Sequence, residues 1–366
     1  MLFIELKFRA EKSSMNFCAN SVLLVLLPAD VRAKGTLNIL PSPMRYPLPA
    51  SLNEHFMNKL IFSFFAIFIW TTSFGQKLET IYLNPKDSTK SMYIAVVPEN
   101  VPVKAFMFCI PGAFQNPQYV LQQTDLPLIA AKQGILTIIP TFETGISSFG
   151  IDSLTQQSLR NMIAEVIMKY KLQGKDFFIG GLSIGGTCAV EYAELSEQNN
   201  YEIKPKAVFG IDPPLDFERL YNSAKRIMRL SVNSKPNDEI PYMIGRTEFE
   251  MKGTPKTAIQ NYYRLSPYSF SDTTQRAVKT LVNMPIMFIS EPDIEWWLTN
   301  RNYDYTDINV IDQAAMVNEL QRLGNNKAIL ITTHNKGFRK PNNMRHPHSW
   351  SIADPEQLVN WLLSQN

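Results

Sequence analysis

The 366-residue chain is 45% hydrophobic and 19% charged, a balance that suits a folded globular protein and excludes a disordered one. Its net charge is only +3, with no basic run, so nothing in the charge pattern points to nucleic acid. Four histidines and three cysteines, with no Cys-x-x-Cys pair, give no metal-binding or cofactor-binding pattern.

The first recognisable segment starts at Met57. "MNKLIFSFFAIFIWTTSFGQ" has one lysine, an apolar run from Leu60 to Trp70, and small or polar residues to Gln76. That is the layout of a secretory signal peptide over residues 57–75. The run is much shorter than the ~20 residues that span a bilayer. Residues 1–56 then read as an upstream extension outside the functional protein, with Met57 as its start. The expectation is a secreted or periplasmic protein, free of the membrane once the signal is removed. Cys109 and Cys188 would remain in it, both in apolar runs, and they read as buried free thiols.

From residue 76 onward, short apolar runs alternate with helix-period segments. "LETIYLN" and "SMYIAVVPE" read as an opening pair of strands around the turn-rich "PKDSTK". "KAFMFCI", "ILTIIP", "DFFIGG", "KAVFGID", "MPIMFIS" and "KAILITT" follow as further strands. Leu159, Met162, Ile163, Val166, Ile167 and Tyr170 fall on one face of a helix. Asp354-Pro355-Glu356 is a capped start for a final helix. Strands apolar on both faces, alternating with helices, predict an α/β domain over 76–366, with a mostly parallel sheet of about eight strands covered on both sides. Residues 213–283 break the alternation and read as a mainly helical insertion, a lid over one end of the sheet, with "FERLYNSAKRIMRL" as its clearest helix.

The chemistry centres on "FFIGGLSIGGTCAV". Four of the chain's 16 glycines, Gly180, Gly181, Gly185 and Gly186, surround Ser183. Gly181-Leu182-Ser183-Ile184-Gly185 follows a buried strand and precedes a helix, the context in which Gly-x-Ser-x-Gly forms a nucleophile elbow. A serine on so tight a turn leaves no room for side chains two residues before and after it. The helix beginning behind the serine aims free N–H groups where an oxyanion would form. No Gly-Lys-Ser/Thr is present, and the glycine spacing is not that of a dinucleotide fingerprint.

With this motif and strand–helix order, the chain resembles the α/β-hydrolase superfamily from about Leu78 to Leu363. "GLSIGG" is also similar to the elbow of secreted esterases of the feruloyl-esterase type. The resemblance implies a triad in the order Ser, acid, His, with a small-molecule ester as substrate and no cofactor or metal. Ser183 is the expected nucleophile. His348, in the loop before the final helix, is the expected base, with His334 and His346 as alternatives. Asp293, in "EPD" beyond "MPIMFIS", is the expected acid, with Glu291, Asp212 and Asp216 as alternatives. The expected oxyanion donors are the N–H of Ile184 and that of Ala113 or Phe114 in "PGAFQNP", where a His-Gly-Gly-Gly motif is missing. Trp296 and Trp297 are candidates to wall a subsite or to pack in the core. The function expected is carboxylic-ester hydrolysis through an acyl-enzyme. A serine peptidase, an acyltransferase and a non-catalytic binding protein on the same fold are the alternatives.

Overall fold

The computed structural model describes residues 76–230 and 239–365; the expected signal segment and upstream extension lie outside the described residues. Eight strands form one sheet: β1 (Gln76–Tyr82), β2 (Met92–Pro98), β3 (Ala105–Ile110), β4 (Ile135–Thr141), β5 (Asp176–Leu182), β6 (Ala207–Ile211), β7 (Ile286–Ser290) and β8 (Ala328–Thr332). Their order is β1-β2-β4-β3-β5-β6-β7-β8. Strand β2 runs antiparallel to both β1 and β4, and every pairing from β4 to β8 is parallel. These are the eight strands expected from the apolar runs.

The reason those runs carry no polar alternation lies in the two cores. On β3, Phe106, Phe108 and Ile110 point to one face of the sheet, while Ala105, Met107 and Cys109 point to the other. The first face is covered by α3 (Ser153–Tyr170), α4 (Ile184–Gln198) and α9 (Val310–Arg322), through residues such as Leu159, Ala189 and Met316. The second is covered by α1 (Pro117–Gln123), α2 (Leu126–Lys132) and α10 (Pro355–Leu363), through Val120, Ala130 and Leu358. Both faces of β3 are thus withdrawn from water, and each residue contributes about 25 cal/mol per Å² of apolar area buried. Cys109 and Cys188 are buried free thiols on opposite faces, and burial pushes both upward.

Between β6 and β7 the described residues include α5 (Phe217–Leu230), α6 (Glu239–Met251) and α7 (Pro255–Leu265), the helical insertion expected there. Phe217, Leu220, Ile240, Ile244 and Tyr262 give them a core of their own, joined by Ile184 at the start of α4. A short hairpin, β9 (Phe338–Arg339) with β10 (Met344–Arg345), precedes the last helix and was not foreseen; each of its strands is only two residues long. Helix α8 (Ile294–Arg301) follows β7. Among the described residues no helix is long and apolar enough to cross a membrane.

Candidate active site

Ser183 closes β5 and caps the N-terminus of α4 with φ 55° and ψ −127°, a left-handed conformation that side chains rarely adopt. Its amide donates to the Ile211 carbonyl at 2.8 Å and its carbonyl accepts from Thr187 N–H at 3.1 Å, so both sides of the strained residue are held. The flanking glycines answer to a third segment. A Cβ on Gly181 or on Gly185 would each lie 2.2 Å from the Ile110 carbonyl oxygen at the end of β3. The turn is therefore tight against the neighbouring strand as well as within itself, and only hydrogen fits at either place.

Asp212 follows β6 directly, also at positive φ (49°), with its amide donating to Ile289 O at 2.8 Å. Its carboxylate is buried. Oδ2 lies 2.6 Å from His348 Nδ1, and Oδ1 accepts from Ser290 Oγ at 2.5 Å and from Gln313 Nε2 at 3.2 Å. The His348 ring is held through Nδ1, and its Nε2 takes no protein partner among the described residues, as is true of the Ser183 hydroxyl. Ser183, Asp212 and His348 line one cavity of about 770 Å³ at the C-terminal edge of the parallel strands.

Asp293, expected beside the imidazole, is placed elsewhere. It is the N-cap of α8, accepting from Trp296 N–H at 3.1 Å, and its second oxygen lies 2.5 Å from Arg345 Nη2. Helix capping and the guanidinium occupy both oxygens, so the carboxylate His348 meets is the alternative, Asp212. Glu291 is buried and accepts from Thr333 Oγ1 (3.0 Å), Lys336 N–H (2.7 Å) and Gly337 N–H (3.2 Å), besides pairing with Arg345 at 2.5 Å. Asp216 is turned to Arg219 N–H and Phe270 N–H; burial, with Asp312 nearby, pushes it up to about 6.

The other histidines also separate. His334 is exposed, its ring 2.9 Å from the Asn335 amide. His346 is buried, with its Nδ1 accepting the His348 amide at 3.2 Å and its ring 4.8 Å from that of Trp296. Burial, reinforced by Arg339, His348 and Arg301, pushes it down to about 2, so it stays neutral and serves as an acceptor that shapes the His348 loop. Trp297 lines the cavity, stacked on Tyr303 at 5.7 Å, while Trp296 packs on His346.

The loop after β3 sorts its donors. Gly112 N–H is taken by Gln115 Oε1 at 3.2 Å and Phe114 N–H by Ile146 O at 2.7 Å, whereas the N–H groups of Ala113 and Ile184 have no acceptor among the described residues. Both residues line the cavity with Ser183. Gln115 itself was not legible in the sequence: its Oε1 accepts a second bond from Trp350 Nε1 at 3.0 Å, tying this loop to the segment after His348.

The sheet order, the antiparallel β2 and the serine junction between β5 and α4 together define the α/β-hydrolase fold. Solved structures that share it include two esterases. One is a carboxyl esterase from the mycorrhizal fungus Tuber melanosporum, 14% identical, with a TM-score of 0.51 over 80% of this chain and 85% of that one. The other is an esterase/lipase from an uncultured bacterium, 11% identical, with a TM-score of 0.50 over 88% and 94% of the two chains. No family model matches the chain, and no curated protein matches it in sequence.

Proposed function

We propose that the protein is a serine hydrolase that cleaves carboxylic esters. The observation that carries this reading is the 2.6 Å contact of His348 Nδ1 with the buried Asp212 carboxylate, in the same cavity as a serine on a strained strand–helix junction. In this reading the Ser183 Oγ–H bond breaks as Oγ attacks the ester carbon, and His348 Nε2 takes the proton. The carbonyl oxygen becomes an oxyanion and accepts from the N–H groups of Ala113 and Ile184. The imidazolium then protonates the leaving alcohol. Water attacks the acyl-enzyme by the same route and returns the proton to Ser183. In this reading Asp212 accepts from Nδ1–H and so selects the tautomer whose Nε2 is free to take the serine proton.

The test is labelling by a fluorophosphonate probe, with peptide mapping, and turnover of 4-nitrophenyl butyrate. Expected are labelling at Ser183 and its disappearance, with a fall in kcat of at least about 10⁴, in Ser183→Ala. Folded protein that neither labels nor hydrolyses the ester overturns the reading in favour of a binding protein. Preference for aminoacyl anilides over esters moves it to a peptidase. The sequence also supports export through residues 57–75; N-terminal sequencing of protein recovered outside the cytoplasm would find a mature chain starting near Gln76, and a chain retaining residues before Met57 refutes it.

A further inference from the structure

The cavity holds one charge that the hydrolysis mechanism does not use. Arg339, on β9, is half-buried and lines the same cavity as Ser183. Its Nη2 donates to the backbone carbonyl of His348 at 2.9 Å, which fixes the guanidinium one residue's reach from the imidazole. Four other half-buried arginines pair closely with carboxylates: Arg219 with Asp312, Arg226 with Asp304 and Asp307, Arg246 with Glu250, and Arg345 with Glu291 and Asp293. Arg339 forms no ion pair within 4.0 Å among the described residues, although the Glu239 carboxylate of the same cavity acts on it from farther away. A guanidinium withdrawn from water without a counter-ion is costly, and the fork-shaped donor set left open suits an oxyanion.

The surroundings reinforce this. Arg301, at the end of α8, lines the same cavity and reaches Glu239 only at 4.0 Å. The other acidic groups on the wall are engaged: Asp212 by His348, and Asp307 by Ser223 Oγ at 2.6 Å and Arg226 at 3.0 Å. Neutral His346 adds no charge, and burial together with Arg301 lowers the proton affinity of Arg339, an effect that Tyr119 and Glu239 oppose without overcoming. Two guanidiniums facing one carboxylate, Glu239, leave an excess of one positive charge, which matches a single negative charge better than a dianion. Trp297 and Tyr119 on the same wall supply apolar surface next to it.

We propose that the preferred substrate is an ester that carries a carboxylate, held by Arg339 with Arg301 as the second cation. The inference rests on the ester-hydrolase reading and names its substrate class. Arg339 and Arg301 are here binding residues, with no part in the bond changes.

The experiment compares mono-4-nitrophenyl glutarate with 4-nitrophenyl pentanoate, which differ by the charge at the far end of the acyl chain, and 4-acetoxybenzoate with its methyl ester, which place the charge on the alcohol side. Expected is a kcat/KM at least roughly tenfold higher for the anionic member of one pair, carried by KM. Arg339→Gln should erase that ratio, Arg339→Lys should restore part of it, and Arg301→Gln should reduce it. Added salt should narrow it, and inorganic phosphate should inhibit more weakly than the monoanion pentanoate. Neutral esters hydrolysed through Ser183 with equal or better efficiency in both pairs overturn the inference and leave the hydrolase reading standing. So does a ratio that Arg339→Gln and Arg301→Gln leave unchanged, or phosphate inhibiting more tightly than pentanoate. No Ser183-dependent turnover of any of the four esters is the separate failure of the hydrolase reading.

Discussion

His348 and Asp212 stand 136 positions apart in the chain, and 2.6 Å separates their Nδ1 and Oδ2 atoms. The carboxylate is buried and held from its other side by Ser290 and Gln313, so the pair is preorganised by strands β6 and β7 and helix α9 together. Such a carboxylate orients the ring without spending hydrogen bonds on water.

Asp212→Asn should therefore lower kcat by about 10⁴ on a neutral ester, because an amide presents the wrong hydrogen-bond pattern to Nδ1. Asp293→Asn should keep kcat/KM within about tenfold of the parent and show its effect in stability, through the weakened cap of α8 and the loss of charge opposite Arg345. Steady-state kinetics and urea unfolding on both variants check this. The reverse ranking would return the acid to Asp293.

Gly185→Ala tests the close approach of the elbow to β3. The added Cβ would meet two backbone carbonyls, Ile110 at 2.2 Å and Pro111 at 2.6 Å, neither of which can swing away. A destabilisation above about 2 kcal/mol and loss of fluorophosphonate labelling are expected. Gly245→Ala is the matched control. That glycine lies in α6 with nothing within 4 Å of its missing Cβ, and alanine there should stabilise by about 0.5–1 kcal/mol.

Arg345 braces the histidine loop through two carboxylates, Glu291 and Asp293, at 2.5 Å each. Removing the guanidinium in Arg345→Met strands Glu291, whose side chain is fully buried, and should cost about 3 kcal/mol or more in chemical unfolding at pH 7. The double variant Arg345→Met/Glu291→Gln should recover part of that loss, since the uncompensated charge is then gone.

His346 predicts a pH dependence of stability. Its folded value, about 2, lies below the ordinary histidine value of about 6.5, so between those limits the unfolded chain binds the extra proton. The neutral-ring contribution is complete above pH 6.5 and is lost progressively as the pH falls. From pH 6.5 to pH 5 that is about 2 kcal/mol. His346→Gln keeps an acceptor for the His348 amide without a titrating ring, and its unfolding free energy should be flatter over the same interval. Equal slopes in the two proteins would assign the acid sensitivity to other groups.

What the chain revealed unaided was whatever depends on near neighbours in sequence. The central strands were visible as apolar runs because burial on both faces removes polar alternation, and the edge strand β1, largely exposed, was visible from its place beside the turn-rich "PKDSTK". The serine junction was visible because its four glycines lie within three residues of Ser183. The hairpin β9–β10 was invisible, since two-residue strands carry no periodicity. The choice among Asp212, Asp293 and Glu291 was equally out of reach: each follows a strand, and what separates them is whether a helix N-terminus, an arginine or an imidazole arrives opposite. Likewise Ala113 emerged as a free donor only once Gln115 and Ile146 were found to occupy Gly112 and Phe114. Local pattern records what a residue's own segment needs, whereas a carboxylate's partner is set by whichever distant loop the packed sheet brings within 3 Å, and that is a property of the tertiary fold.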